Sequence, residues 1–359
     1  MDIIEVMKKY INNEMISDAS YDSDLLTISI EQSLQPLLYN VTGVLEYKKY
    51  YISWVIKQES FYNLQNEITD IFNENNIKHI YFKGAVLSKI YDDPSVRTRG
   101  DIDIYIDNTV FDLAKEKLLE NGYELESTKE DSLHHITVKK NGIEVELHFN
   151  MFDSDVESTW RTLFTNPFEL TLLDSGSLYR FTDTYHFIYC LMHFAQHLRH
   201  GAGIRYMLDF YYMFIKTSID FTLLHETLKQ VKLEVLYSNI INVLRVIFER
   251  NFDSSIQEKE AQSLIDYMLS YGIHGHSNNG SEMVSTIHSH KFKYAITKIF
   301  LTNKNYRLSK YPKLGRHWYL YPICLIKHFV FLITHKLKAF FKFLFAKNKN
   351  KDIYKKMGI

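Results

Sequence analysis

Glycine, proline and cysteine are scarce in this chain of 359 residues, at 13, 5 and 2. So few turn formers exclude a β-sandwich, which needs a turn about every ten residues. The two cysteines, Cys190 and Cys324, make no disulfide framework, no Cys-x-x-Cys motif and no thiolate zinc site. A reducing compartment is expected. The opening Met1–Glu5 lacks the basic segment of a secretory leader, and a cytoplasmic location is expected. No uncharged apolar run reaches the ~18 residues of a membrane span. The nearest approach, close to the C-terminus, is broken by Lys327, Lys336, Lys338 and Lys342. Overall charge of one sign is missing too: 42 basic and 43 acidic side chains leave a net charge of −1. No specific nucleic-acid binding is expected from such a balance. The balance conceals an asymmetry, because the segment from Arg316 onward carries 10 Lys/Arg against Asp352 alone.

Aromatic side chains are abundant, with 26 Tyr and 24 Phe. Apolar residues at three- and four-residue steps from Ser33 to Phe72 predict helix, and residues 1–75 read as an N-terminal helical region. The texture then changes. Ile77–Phe82 reads as a strand, broken at Lys83-Gly84, and a short helix is expected from Ala85 to Tyr91. Asp101–Asp107 alternates with period two, which sets Ile102, Ile104 and Ile106 on one face of a second strand. Asn108 is expected to cap a helix over Val110–Glu120. His134–Lys139 and Ile143–Phe149 read as strands joined at Asn141-Gly142. The order β-α-β-α-β-β over residues 76–150 is an α/β unit between helical regions, so the fold class is α+β. Residues 151–315 read as helical, clearest over Tyr185–Leu198 and Met207–Lys216, and residues 316–359 as a basic amphipathic tail.

Asp101 and Asp103 lie two apart on one strand and project from the same face. Like charges so placed repel unless a cation sits between them, and Mg2+ or Mn2+ suits hard oxygen donors. Glu146, on a later strand, completes a carboxylate set if the strands pair. Three carboxylates can hold two metal ions about 3.5–4 Å apart, a clamp for in-line phosphoryl or nucleotidyl transfer. At the Lys83-Gly84 turn, glycine lets backbone approach a phosphate, the following helix aims its N-terminus there, and Lys83 adds charge. Arg97 and Arg99 are placed to pair with phosphate oxygens.

The run from Lys83-Gly84-Ala85 to Tyr91, then Pro94, Arg97, Gly100-Asp101-Ile102-Asp103-Ile104 and Val145-Glu146-Leu147-His148, resembles the uncharacterised nucleotidyltransferase family of the DNA polymerase β-like superfamily. His193, His197, Gly203, Arg205 and Asp209 extend the likeness into the helical region. The resemblance implies metal-dependent transfer of a nucleoside monophosphate from an NTP to an acceptor it does not identify. It makes Asp101, Asp103 and Glu146 the catalytic and metal-binding residues, and Lys83, Gly84, Arg97 and Arg99 the nucleotide-binding ones. His148, Arg205 and Asp209 are expected to support them. Two departures stand out: Ala85 replaces the usual Ser of the turn, and the spacing of seventeen residues from Gly84 to Asp101 is long; the third carboxylate is Glu146 where many members carry Asp. The first motivates an alternative, an NTP-binding regulatory protein without turnover.

Three further features have plain readings. His193 and His197 share a helix face but lack the intervening Glu of a metalloprotease, so a hydrogen-bonded structural pair is expected. Arg205 and Asp209 are expected to form an i,i+4 ion pair. His274, His276, His288 and His290 fall in polar segments and are read as non-functional. The tail could lie on anionic membrane at its inner face, which suggests a second alternative, a peripheral factor in surface polymer synthesis.

Overall fold

The computed structural model describes residues 1–127, 134–153, 156–198, 201–272 and most of 301–334, without 302–306, 309, 316 and 333. His274, His276, His288, His290 and the tail beyond residue 334 lie outside the described residues.

Four helices open the chain: α1 (Ile3–Ile11), α2 (Ser23–Glu31), α3 (Gln35–Thr42) and the 30-residue α4 (Leu45–Glu74). Asp2 and Asp22 cap α1 and α2 by accepting from backbone N–H groups, and Gly43 closes α3 in the left-handed conformation that favours glycine. The α/β unit follows: β1 (His79–Phe82), the single turn α5 (Gly84–Leu87), β2 (Asp101–Ile106), α6 (Phe111–Glu120), β3 (Glu124–Leu125), β4 (His135–Lys140) and β5 (Ile143–His148). After α7 (Ser158–Leu163) come β6 (Thr171–Ser175) and β7 (Leu178–Phe181). Helices α8 (Asp183–Leu198), α9 (Tyr206–Lys216), α10 (Phe221–Val231), α11 (Glu234–Phe248) and α12 (Gln262–Ser270) succeed them, and α13 spans Tyr321–Phe331.

The seven described strands form one mixed sheet in the order β3-β4-β5-β2-β1-β7-β6. β2 runs antiparallel to β1 and parallel to β5, and β1 runs parallel to β7. With helices on both faces, the fold is α+β. Ile102, Ile104 and Ile106 are fully buried on one face among Leu64, Ile68 and Phe72 of α4 and Leu118 of α6. The opposite face carries Phe82 and Tyr105 and packs against α8 through Tyr189. The alternation of β2 thus sends Ile into one core and its acidic residues toward the helical half of the chain.

Two local expectations are corrected. The helix expected to begin under an Asn108 cap has Val110 at that position, with no side-chain cap. Asn108 instead donates to the Phe149 carbonyl, and Asp107 takes the turn by accepting from Thr109. The segment after residue 151, read as helical throughout, contains the β6–β7 hairpin. Its outer strand exposes Leu172 and Leu173, so no clean alternation marked it as an edge strand.

Candidate active site

β1 and β2 are antiparallel, so the end of β1 adjoins the start of β2 and Phe82 lies opposite Asp103. Across β2, Asp103 and Glu146 are register partners on parallel strands, as are Tyr105 and His148. Asp101, Asp103, Glu146 and His148 therefore share one sheet face, where Lys83 joins them from the end of β1. The Lys83 ammonium donates to Asp103 Oδ1 at 2.7 Å, and His148 Nε2 lies 3.0 Å from the same oxygen and 3.2 Å from Glu146 Oε2. A cavity of about 550 Å3, lined by Lys83, Gly84, Arg99, Asp101, Asp103 and Glu146 among others, opens on this cluster. That volume is in the range of small-molecule sites.

The turn that delivers Lys83 is strained. Its backbone sits at φ 51° and ψ −129°, a region L-residues rarely occupy, at a cost of about 1–3 kcal/mol. At Gly84 a Cβ would lie 3.2 Å from Arg99 Cβ, so glycine is needed there for the close approach of the arginine segment. The helix that follows is a single turn, Gly84–Leu87, continuing as a 3-10 turn over Ser88–Ile90. It is too short to supply the helix N-terminus expected at a phosphate. Ser88 is buried, with its hydroxyl unpartnered among the described residues, and does not line the cavity.

The electrostatics follow from burial and pairing. Burial would raise the Asp103 carboxyl, but Lys83 and the His148 hydrogen bond outweigh it and hold Asp103 well below the usual carboxylate range. The same pairing reverses the effect of burial on Lys83, whose pKa is raised, and on His148, which is also raised, by Asp103 and Glu146. Among the described residues Asp101 has no hydrogen-bonded cationic partner, and Lys83 offsets its burial only in part. Burial first, then the charge of Asp103, push its carboxyl up to about 7. The cluster is thus short of positive charge at Asp101, and one oxygen each of Asp103 and Glu146 lies within 4.8 Å of a ring nitrogen of His148. Two carboxylates beside an uncompensated third fit a divalent cation.

The arginines divide. Arg97, expected at phosphate, is buried and directs Nε to Asp209 Oδ1 at 2.6 Å, an oxygen that also accepts from the Tyr91 hydroxyl at 2.6 Å. Asp209 therefore pairs with Arg97 rather than Arg205, which donates to the Thr98 carbonyl at 3.0 Å. The i,i+4 ion pair expected on the helix is absent because Arg97, arriving from the β2 side, takes the carboxylate. Arg99 stacks 4.3 Å above the Phe61 ring and donates to Gln65 Oε1 at 2.9 Å. Its Nε and second terminal nitrogen have no partner among the described residues. His193 and His197 make the expected mutual contact, Nε2 to Nε2 at 3.0 Å, but do so on the cavity wall.

Sequence reading passed over His134, His135 and Asp153. His135 is the register partner of His148, and His134 lies beside it, with Nδ1 2.9 Å from Asp153 Oδ1. The one available signal was the His-His pair entering the strand that pairs with the Glu146 strand.

No curated protein and no solved structure matches the chain. A family model described as "uncharacterised nucleotidyltransferase" matches residues 22–249, a span that takes in every described strand of the sheet and the helices α8 and α9 that line the cavity. The chain belongs to this uncharacterised nucleotidyltransferase family.

Proposed function

We propose that the chain transfers the nucleoside monophosphate group of an NTP to an acceptor hydroxyl at the Asp101, Asp103 and Glu146 face. The observation that carries this reading is the register of Asp103 with Glu146 beside Asp101, at a cavity that also holds Lys83 and Arg99. Asp101, Asp103 and Glu146 would hold Mg2+ or Mn2+, two ions in the full form of the proposal. When bound, these ions supply positive charge to the phosphates and acidify the acceptor hydroxyl. Lys83 and the guanidinium of Arg99, which both line the cavity, offset charge on the departing phosphates. Arg97, which also lines the cavity, holds the Thr98 carbonyl while paired to Asp209. Glu146 accepts the acceptor's proton as its oxygen bonds to the α-phosphorus. The bond from that phosphorus to the bridging oxygen breaks, and pyrophosphate leaves with the electron pair.

The test incubates the full chain with each labelled NTP and Mn2+, then searches the protein and lysate fractions by mass spectrometry for nucleoside monophosphate adducts. Asp101→Asn and Asp103→Asn are each expected to lower turnover by at least ~100-fold. Undiminished turnover in both discards the mechanism. Ala85 favours a second reading, a nucleotide-binding regulator without turnover. Saturable NTP binding by calorimetry, with no pyrophosphate released across broad acceptor pools, would select it.

Among the described residues no helix is long and apolar enough to cross a membrane. The exposed apolar residues Trp318, Ile323, Ile326, Phe329 and Val330 support attachment of the basic tail to an anionic membrane surface. The enzyme would then work as a peripheral protein at the inner face.

A further inference from the structure

Beside the carboxylates lies a second cluster of different chemistry. One ring nitrogen of each of His134, His135 and His148 lies within 4.8 Å of the other two. The rings crowd together, with centroids 4.4 Å apart for His134 and His135, 5.4 Å for His134 and His148, and 5.2 Å for His135 and His148. Two strands impose this: β4 and β5 pair with His135 opposite His148, and His134 precedes β4 directly.

The nitrogens are already sorted. His134 Nδ1 faces the Asp153 carboxylate at 2.9 Å, which leaves Nε2 to turn inward, 2.9 Å from His135 Nδ1. A carboxylate behind one ring nitrogen is the usual support for a histidine whose other nitrogen binds metal. With Zn–N bonds of about 2.0–2.1 Å, neighbouring nitrogens of a tetrahedral site are about 3.3 Å apart, a few tenths of an ångström from the separation here. His148 gives Nε2 to Asp103 and Glu146; its Nδ1 has no partner among the described residues, in a side chain 1 % exposed. A second cavity of about 280 Å3, lined by Lys83, His134, His148 and Asp153 among others, gives a path in.

We infer that His134, His135 and His148 form a binding site for a dication of the Zn2+ class, separate from the oxygen-ligated ions of nucleotidyl transfer. Three imidazoles select a borderline metal such as Zn2+ or Co2+ and have little affinity for Mg2+. Asp153 positions His134, and His148 links the two centres through its contacts to Asp103 and Glu146. The site does not depend on the proposed reaction, and it would stand in a chain that transfers nothing.

The test titrates the purified full chain, freed of metal by chelation, with Co2+ in millimolar Mg2+, which keeps the carboxylate site filled. One equivalent is expected to bind with the visible absorption of a tetrahedral nitrogen site, displaced by Zn2+ and untouched by millimolar Mg2+. His134→Gln/His135→Gln together remove that absorption, while circular dichroism reports the fold intact. Asp153→Asn, which keeps all three ligands, weakens Co2+ binding by about 10–100-fold. Asp101→Asn leaves Co2+ binding unchanged even as it removes turnover, which separates this inference from the proposed reaction. The inference is overturned if Co2+ binds equally well to the double histidine variant, if no saturable binding occurs, or if Mg2+ displaces Co2+ at like concentration.

Discussion

Lys83 supplies positive charge directly to Asp103, with its ammonium 2.7 Å from Oδ1. Its ammonium holds the Asp103 carboxylate, whose side chain is 2 % exposed, from a backbone conformation that costs strain. Lys83→Met leaves that carboxylate buried beside His148 alone. Breaking one half of a buried pair costs about 3–5 kcal/mol, so urea unfolding without divalent ions should show a loss of that order. Added Mg2+ should restore part of it; a variant as stable as the parent would show the pairing to be idle. Asp101 behaves oppositely because, among the described residues, it has no hydrogen-bonded cationic partner. Its carboxyl rises from 3.8 to about 7 through burial and the neighbouring Asp103 charge. Between these values the folded chain keeps a proton that the unfolded chain has released. The folded state binds more protons there, so stability falls as pH rises from about 4 to about 7. Asp101→Asn removes the penalty. Without divalent ions its Tm should exceed the parent's by about 2–4 °C at pH 8, if ~1 kcal/mol is relieved, and should converge with it near pH 4. A Tm difference that does not vary with pH would contradict this assignment.

At the scale of elements, the ion pair that matters most joins two parts of the chain that sequence reading kept apart. Arg97 follows the 3-10 turn Pro94–Val96 and meets Asp209 on α9, with both side chains nearly excluded from water. Asp209→Asn should cost about 3–5 kcal/mol in urea unfolding, whereas Arg97→Met/Asp209→Leu together, which remove both charges of the pair and leave only the Arg205 guanidinium, should cost less. Equal losses would mean that the carboxylate acts through Arg205 instead. This contact also marks where the sequence stops being legible. Period-two alternation located β2, and the Asn141-Gly142 turn located β4 and β5, because those signals are local. Asp101, Asp103 and Glu146 converge because strands that each show their faces in sequence fall into register. The partner of Asp209 was misassigned because i,i+4 spacing is visible in a sequence while a contact 112 residues away is not. The His134, His135 and His148 cluster was missed for the same reason: it exists only once β4 lies against β5. The β6–β7 hairpin escaped because exposed Leu172 and Leu173 break the alternation that reveals an edge strand.

On the scale of the whole molecule, basic charge is concentrated at one end, where the described residues also expose a run of apolar side chains. Residues from Arg316 onward carry a net +9, and before most of that charge α13 turns Ile323, Ile326, Phe329 and Val330 to solvent, with Trp318 80 % exposed ahead of it. His328 on the same helix is buried, so α13 is anchored on one side and open on the other. An apolar face followed by clustered lysines gives two additive attractions to an anionic bilayer: burial of the exposed side chains, and about 1 kcal/mol for each Lys or Arg near the surface. Neither is strong alone, since the apolar face is short and the electrostatic attraction decays within a Debye length of ~8 Å at physiological salt. Co-sedimentation with phosphatidylserine-containing vesicles should therefore be strong at low salt, weak at 0.5 M salt and absent with neutral vesicles. Ile326→Glu/Phe329→Glu should reduce partition about as far as removal of residues 316–359, because it both removes apolar contact and adds repulsion, while leaving metal and nucleotide binding in place. Partition that is unchanged in both chains would detach the tail from membranes and leave α13 open for contact with protein.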